Sequence, residues 1–207
     1  MKIYELKASS DDRWVWFFTV EGPVTPDYFG KQAFFASKPR IRIDRNTEAS
    51  PRGSKARLAD FSNLSYGPEP CFSARAKEVL GPHIDGLGQW LALKCDEAPY
   101  WLFNVTHVVD ALDEAHSELI RFTDGGIMRI AQFVFHPEKL HGQLLFNVPQ
   151  CPGSPNLVTQ DFVDLVHKHG LTGFSFRLLW SEENGAVSSK LKDWERPRIT
   201  GLESGQV

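Results

Sequence analysis

The chain has 207 residues, of which 42% are apolar, and 26 acidic against 23 basic side chains leave a net charge of −3. A chain of this length buries roughly 70% of the surface its unfolded form exposes, which fits one globular domain and excludes a disordered polymer. The charge balance offers no basic face for nucleic acid, and no apolar run approaches the roughly 18 residues of a membrane helix.

Three cysteines, Cys71, Cys95 and Cys151, are odd in number and widely spaced, with no CxxC pair. They read as reduced thiols rather than a disulfide frame. The N-terminus lacks the apolar core of a signal peptide. The expectation is a soluble, cytoplasmic protein.

In chain order, residues 2–6 alternate and predict a first strand. Residues 14–20 (WVWFFTV) predict a second, buried one, and 40–44 (RIRID) a third with one wet face. Residues 45–56 are polar, contain Pro51 and Gly53, and predict a loop. The bases in and beside that loop lack the interleaved aromatics of a nucleic-acid site, so a solvated loop is the better reading. Residues 1–58 are expected to form a β-rich N-terminal subdomain.

A helix follows at 73–80. Ser73 can cap it, Gly81-Pro82 can end it, and Ala76, Val79 and Leu80 make its apolar face. Residues 159–168 repeat the pattern 86 positions later, with Thr159 as the cap, Gly170 as the stop, and Phe162, Leu165 and Val166 as the apolar face. Each helix leads into an apolar strand, 89–94 and 174–180. An internal repeat and a pair of ordinary amphipathic helices both fit.

Between the two units, residues 99–148 carry the strongest strand signal. Trp101, Phe103, Val105 and Val109 share one side of a two-residue period, which predicts a strand over 100–109 with one face on a core. Residues 118–123 and 127–135 predict a hairpin across Asp124-Gly125-Gly126, whose glycines supply positive φ. Pro137 suits the first turn of a short helix, and 144–148 predict another strand. Together these predict an α+β fold: one largely antiparallel β-sheet with two amphipathic helices packed on it. The tail, residues 181–207, is polar, with one short ordered piece expected around Trp194.

For chemistry, His107, Asp110 and Asp113 bring three polar groups into one short stretch. A nucleophile needs a base held by an orienting partner, and no such pairing is visible, so acids closing a turn are the better reading. His167-Lys168-His169 ends a helix, where the dipole favours cations. No zinc, phosphate-loop, calcium-loop or hydrolase motif is present. The expectation is a protein with no catalytic residues, no metal and no cofactor.

Several segments in this order resemble a known family. They include Val108-Val109-Asp110-Ala111-Leu112-Asp113, Phe122-Thr123-Asp124-Gly125-Gly126-Ile127, Val134-Phe135-His136-Pro137-Glu138-Lys139-Leu140-His141-Gly142 and Leu145-Phe146-Asn147-Val148-Pro149. Val158-Thr159-Gln160-Asp161-Phe162 and Gly170-Leu171-Thr172-Gly173-Phe174 close the pattern, with Ala59-Asp60-Phe61 and Phe72-Ser73-Ala74-Arg75-Ala76 upstream. The pattern resembles immunity protein family eleven of bacterial polymorphic toxin systems, formerly a domain of unknown function, over residues 59–180. The resemblance implies a cytoplasmic protein that binds one cognate toxin or effector domain and blocks it, protecting the producing bacterium in interbacterial competition. It implies neither chemistry nor defined contact residues. Candidates for the contact, from charge and position, are Asp110, Asp113, Glu114 and Glu118. Two other readings stay open: a hydrolase using His107, Asp110 and Asp113 to reverse a toxin's modification, and a non-catalytic adaptor of a secretion-linked operon.

Overall fold

A computed structural model describes residues 1–11, 13–21, 40–48, 52–64, 70–151 and 155–187. The fold is α+β. Its strands are β1 (Lys2–Ala8), β2 (Phe17–Glu21), β3 (Ile41–Arg45), β4 (Phe61–Asn63), β5 (Pro70–Ser73), β6 (Gly88–Lys94) and β7 (Tyr100–Val105). They continue as β8 (Glu118–Arg121), β9 (Ile127–Gln132), β10 (Leu145–Phe146), β11 (Leu157–Thr159), β12 (Phe174–Ser181) and β13 (Gly185–Ala186). Helix α1 is Ala74–Ile84 and helix α2 is Gln160–Lys168.

The strands expected to share one sheet are divided among three. Five strands run in the order β10-β11-β1-β12-β13, six in the order β2-β3-β6-β7-β5-β4, and β8-β9 form a two-stranded hairpin. Pairing is antiparallel except between β3 and β6. Residues 1–58, expected to form a subdomain, contribute to both large sheets: β1 lies between β11 and β12, and β3 pairs with β6. The tail piece around Trp194 lies outside the described residues.

The 86-residue offset has a topological counterpart. The helices begin at 74 and 160, and the strands after them at 88 and 174. In each unit a strand, a helix and a second strand form a crossover, and a third strand fits between the two. β7 separates β5 from β6, and β1 separates β11 from β12, antiparallel in every case. The interposed strand follows its unit in the first case and precedes it in the second.

Side-chain alternation distributes the apolar residues over three layers. Phe72, Phe103 and Val105 from one large sheet, Leu6, Leu145 and Val158 from the other, and both helices share a central core. Leu91, Leu93, Tyr100 and Leu102 point to a second core, and Ile3, Phe146, Leu157 and Leu179 to a third. Both faces of β7 are therefore covered, not one as expected, which explains why the polar Asn104, on the face opposite Phe103 and Val105, is 4% exposed.

Helix α1 differs from expectation at its end. It runs through Gly81 and Pro82 to Ile84. A proline crowds the Cβ of the residue before it, and Gly81 has none. Burial of Ile84 at 0% exposure then holds the extra turn on the core. Ser73 caps as expected, accepting from the Ala76 N–H at 3.1 Å. Thr159 does not: its hydroxyl donates to the Gln143 carbonyl at 2.7 Å, tying the helix start to the segment before β10. Val79 and Leu165 are only partly buried, while Ile84 and Val163 complete the two apolar faces.

Asp60 joins the two units. Its carboxylate accepts from the Ser73 hydroxyl, the Arg75 guanidinium, and the Thr172 backbone N–H and hydroxyl, each at 2.9 Å. Arg75 also donates to the His169 carbonyl at 2.6 Å, at the C-terminal end of α2. Beside it, Gly173 has φ +85°, and a Cβ there would lie 2.2 Å from the Phe61 carbonyl oxygen. The chain after α2 thus crosses too close to β4 for any side chain.

Two stability predictions follow from this packing. Phe162 is 0% exposed in the central core, and Phe162→Ala should cost about 3–5 kcal/mol in denaturant melts. A loss below about 1 kcal/mol would mean that the ring is not packed. Asp60→Ala removes the acceptor of Thr172 and Ser73 and leaves Arg75 only its backbone carbonyl partners, and should cost about 3 kcal/mol. Equal stability of the variant and the parent would show the carboxylate to be dispensable.

Candidate partner-binding surface

The stretch holding the candidate acids is a strapped loop. β7 stops at Val105, because the backbone N–H groups of Thr106 and His107 both turn to the Leu87 carbonyl at 3.0 Å. The Val109 N–H donates to the Asn147 carbonyl and the Asn147 N–H to the His107 carbonyl, each at 2.9 Å. The Asp113 N–H donates to the Val134 carbonyl and the His136 N–H to the Ala111 carbonyl, again at 2.9 Å. Ala111 and Leu112 are buried beneath these bonds, so the acids around them are held outward on a fixed backbone.

Two of the four candidate acids, Asp110 and Glu114, share a partner there. Gln150 donates one amide nitrogen to Asp110 Oδ1 at 3.1 Å and to Glu114 Oε1 at 3.0 Å. Asp113 lies between them in sequence and closes the turn, accepting from the backbone N–H groups of Ala115 at 3.1 Å and His116 at 3.2 Å. Its other oxygen meets the His116 ring nitrogen at 2.7 Å. That bond, aided by the His116 backbone N–H and its positive charge when protonated, holds the Asp113 carboxyl below its ordinary value, outweighing desolvation. Glu118 stands apart as the first residue of β8, exposed and opposite Gln132. Glu114 also faces Arg121 at 3.5 Å.

The residues of the hydrolase reading are engaged separately. His107 Nε2 bonds Gln143 Oε1 at 2.7 Å, while Asp110 bonds Gln150 and Asp113 bonds His116. Among the described residues, no hydrogen bond joins His107 to either acid. Nor is any group of three or more His, Cys, Asp or Glu side chains there placed to hold a metal ion.

Sequence reasoning missed three residues at this surface. Gln150 gave no signal, since its role depends on a chain segment 40 residues from Asp110 folding back onto it. Phe122 and Met128 were assigned to strands, yet they are 53% and 44% exposed on the hairpin. Their place beside the turn was the available signal. The hairpin forms across the expected turn but on shorter strands, ending at Arg121 and Gln132 rather than 123 and 135; of its two glycines only Gly125 has positive φ (+88°), and the Gly126 N–H bonds Asp124 Oδ1 at 2.9 Å.

The lowered Asp113 value can be measured. Its contribution to the loop is present above the ordinary carboxylate range and is lost as pH falls through the lowered value. Carboxyl-carbon NMR should place the Asp113 midpoint below the ordinary value of about 3.9, and His116→Ala should move it back up. An ordinary midpoint in the parent chain would contradict the bond.

No helix among the described residues is long and apolar enough to cross a membrane. No curated protein matches the chain. The family comparison covers less of the N-terminal side than the expected 59–180, but includes the strapped loop, the hairpin and the whole of α2. Residues 93–179 match the Immunity protein family (Imm11), which suggests toxin immunity.

Proposed function

We propose that this protein is a cytoplasmic immunity protein that binds one cognate toxin or effector domain and neutralises it by stoichiometric occlusion, without catalysis. The family match over residues 93–179 carries this reading. The separate engagement of His107, Asp110 and Asp113 supports it over a hydrolase, because a general base needs its orienting partner within hydrogen-bond reach. We assign the contact to the face that bears Asp110, Asp113, Glu114 and Glu118. Asp110, Asp113 and Glu114 sit on or beside the strapped loop and Glu118 on the paired strand β8, so less ordering entropy is lost on binding.

Neutralisation at cellular concentrations needs a Kd near or below about 1 nM, roughly −12 kcal/mol. An interface of about 1,600 Å² can supply it when a few buried anchors dominate. The test is a titration of the cognate toxic domain, sought among the products of neighbouring genes, with toxicity or enzymatic output as readout. Protection should saturate at one equivalent and fall in proportion below it. Full protection by a small fraction of an equivalent over many turnovers would make the protein an enzyme and end this reading.

A further inference from the structure

Two of the large apolar side chains most open to solvent, Phe122 and Met128, lie on the same short hairpin, β8-β9. An isolated two-stranded hairpin is marginal in water, so this one needs an anchor. It has one at its root: Ile130, Phe133 and Phe135 are all below 10% exposure in the core that also holds Trp180. The tip is thus presented on a rigid stem. Residues 110–129, which run from the strapped loop through the hairpin, hold five carboxylates (Asp110, Asp113, Glu114, Glu118, Asp124) against Arg121 and Arg129. Their formal charge of −3 equals that of the entire chain. Arg121 runs along the hairpin, donating to the Gly125 carbonyl at 3.0 Å and facing Glu114.

We infer that the β8-β9 hairpin is the apolar centre of the toxin-docking face, with Phe122 and Met128 as anchors and the carboxylates of residues 110–124 as its acidic rim. This rests on the immunity reading. The occupant is a toxin-domain surface with an apolar recess surrounded by lysine or arginine side chains. Aromatic residues and methionine are enriched in interface cores, and their burial controls how long a complex lasts. Rim charges act chiefly on the rate of encounter. The face therefore assigns different kinetic roles to its two kinds of residue.

Association and dissociation rates for the purified cognate toxic domain identified by that titration, measured on the full-length protein, test the assignment. Phe122→Ser with Met128→Ser should weaken Kd by about thirtyfold or more, mainly through faster dissociation. Glu118→Lys should slow association by about threefold at low salt, an effect that shrinks as salt rises. Val20→Ser, which removes another exposed apolar group (51% exposed) on the six-stranded sheet, should leave both rates unchanged. Thermal melts matching the parent confirm that each variant is folded; Glu118→Lys carries the test alone if the apolar pair melts early. Parent binding at one equivalent with the Phe122→Ser, Met128→Ser double variant within threefold of it in Kd, or with Glu118→Lys associating at the parent rate at low salt, would overturn this site and leave the immunity reading standing. A parent chain that does not bind would overturn both. An equal loss in Val20→Ser, or a dimer of the chain alone that Phe122→Ser separates into monomers, would also overturn the site.

Discussion

The carboxylate of Asp60 is the constraint on which the arrangement of the two units depends. A buried charge is tolerated only where hydrogen bonds replace its water, and four donors do so here. They come from the cap and first turn of α1 and from the loop after α2. Satisfying Asp60 therefore fixes how the second helix unit meets the first. Arg75 extends the tie by reaching the His169 and Gly170 carbonyls, groups that the end of a helix leaves without internal partners. Gly173 admits the close approach to Phe61 that the same junction requires.

With the junction fixed, both large sheets face the central core with one side and keep a second apolar side for a core of their own. Each crossover unit uses its helix to cover the same middle layer. The five-stranded sheet's other side is covered by the segment that includes Ala111, Leu112, Phe133 and Phe135. That segment is the strapped loop and the stem of the hairpin. The proposed docking face is thus the outer surface of a layer whose inner surface closes a core, and its stiffness comes from that packing.

This layout suits recognition between proteins. The acids on the loop are bound to Gln150, to backbone N–H groups and to His116, partners that hold them in position at the surface. Exposed groups held this way contribute little stability on their own. They can still shape the field that an approaching partner meets.

Local patterns read from the sequence were those with a local physical cause. The Ser73 cap, the Asp124-Gly125-Gly126 turn, the proline-led turn at Pro137–Lys139 and the two helix units 86 residues apart all depend on neighbours in the chain, and all formed. The α+β class followed from the same periodicities. Where a residue had two possible partners, the sequence could not choose. Thr159 turned from its helix to the Gln143 carbonyl, and Asn104 went inside because a second core covers the far face of β7. The distribution of strands among three sheets, the insertion of β1 between β11 and β12, the meeting of Asp110 and Glu114 at Gln150, and the exposure of Phe122 and Met128 all arise from contacts between distant segments. By itself the sequence determined where the longer strands and both helices form, because propensity, capping and alternation act over a few residues; only the tertiary structure decided the short strands β4, β5, β11 and β13 and which faces the elements share, because those depend on partners a two- or 3.6-residue period cannot name.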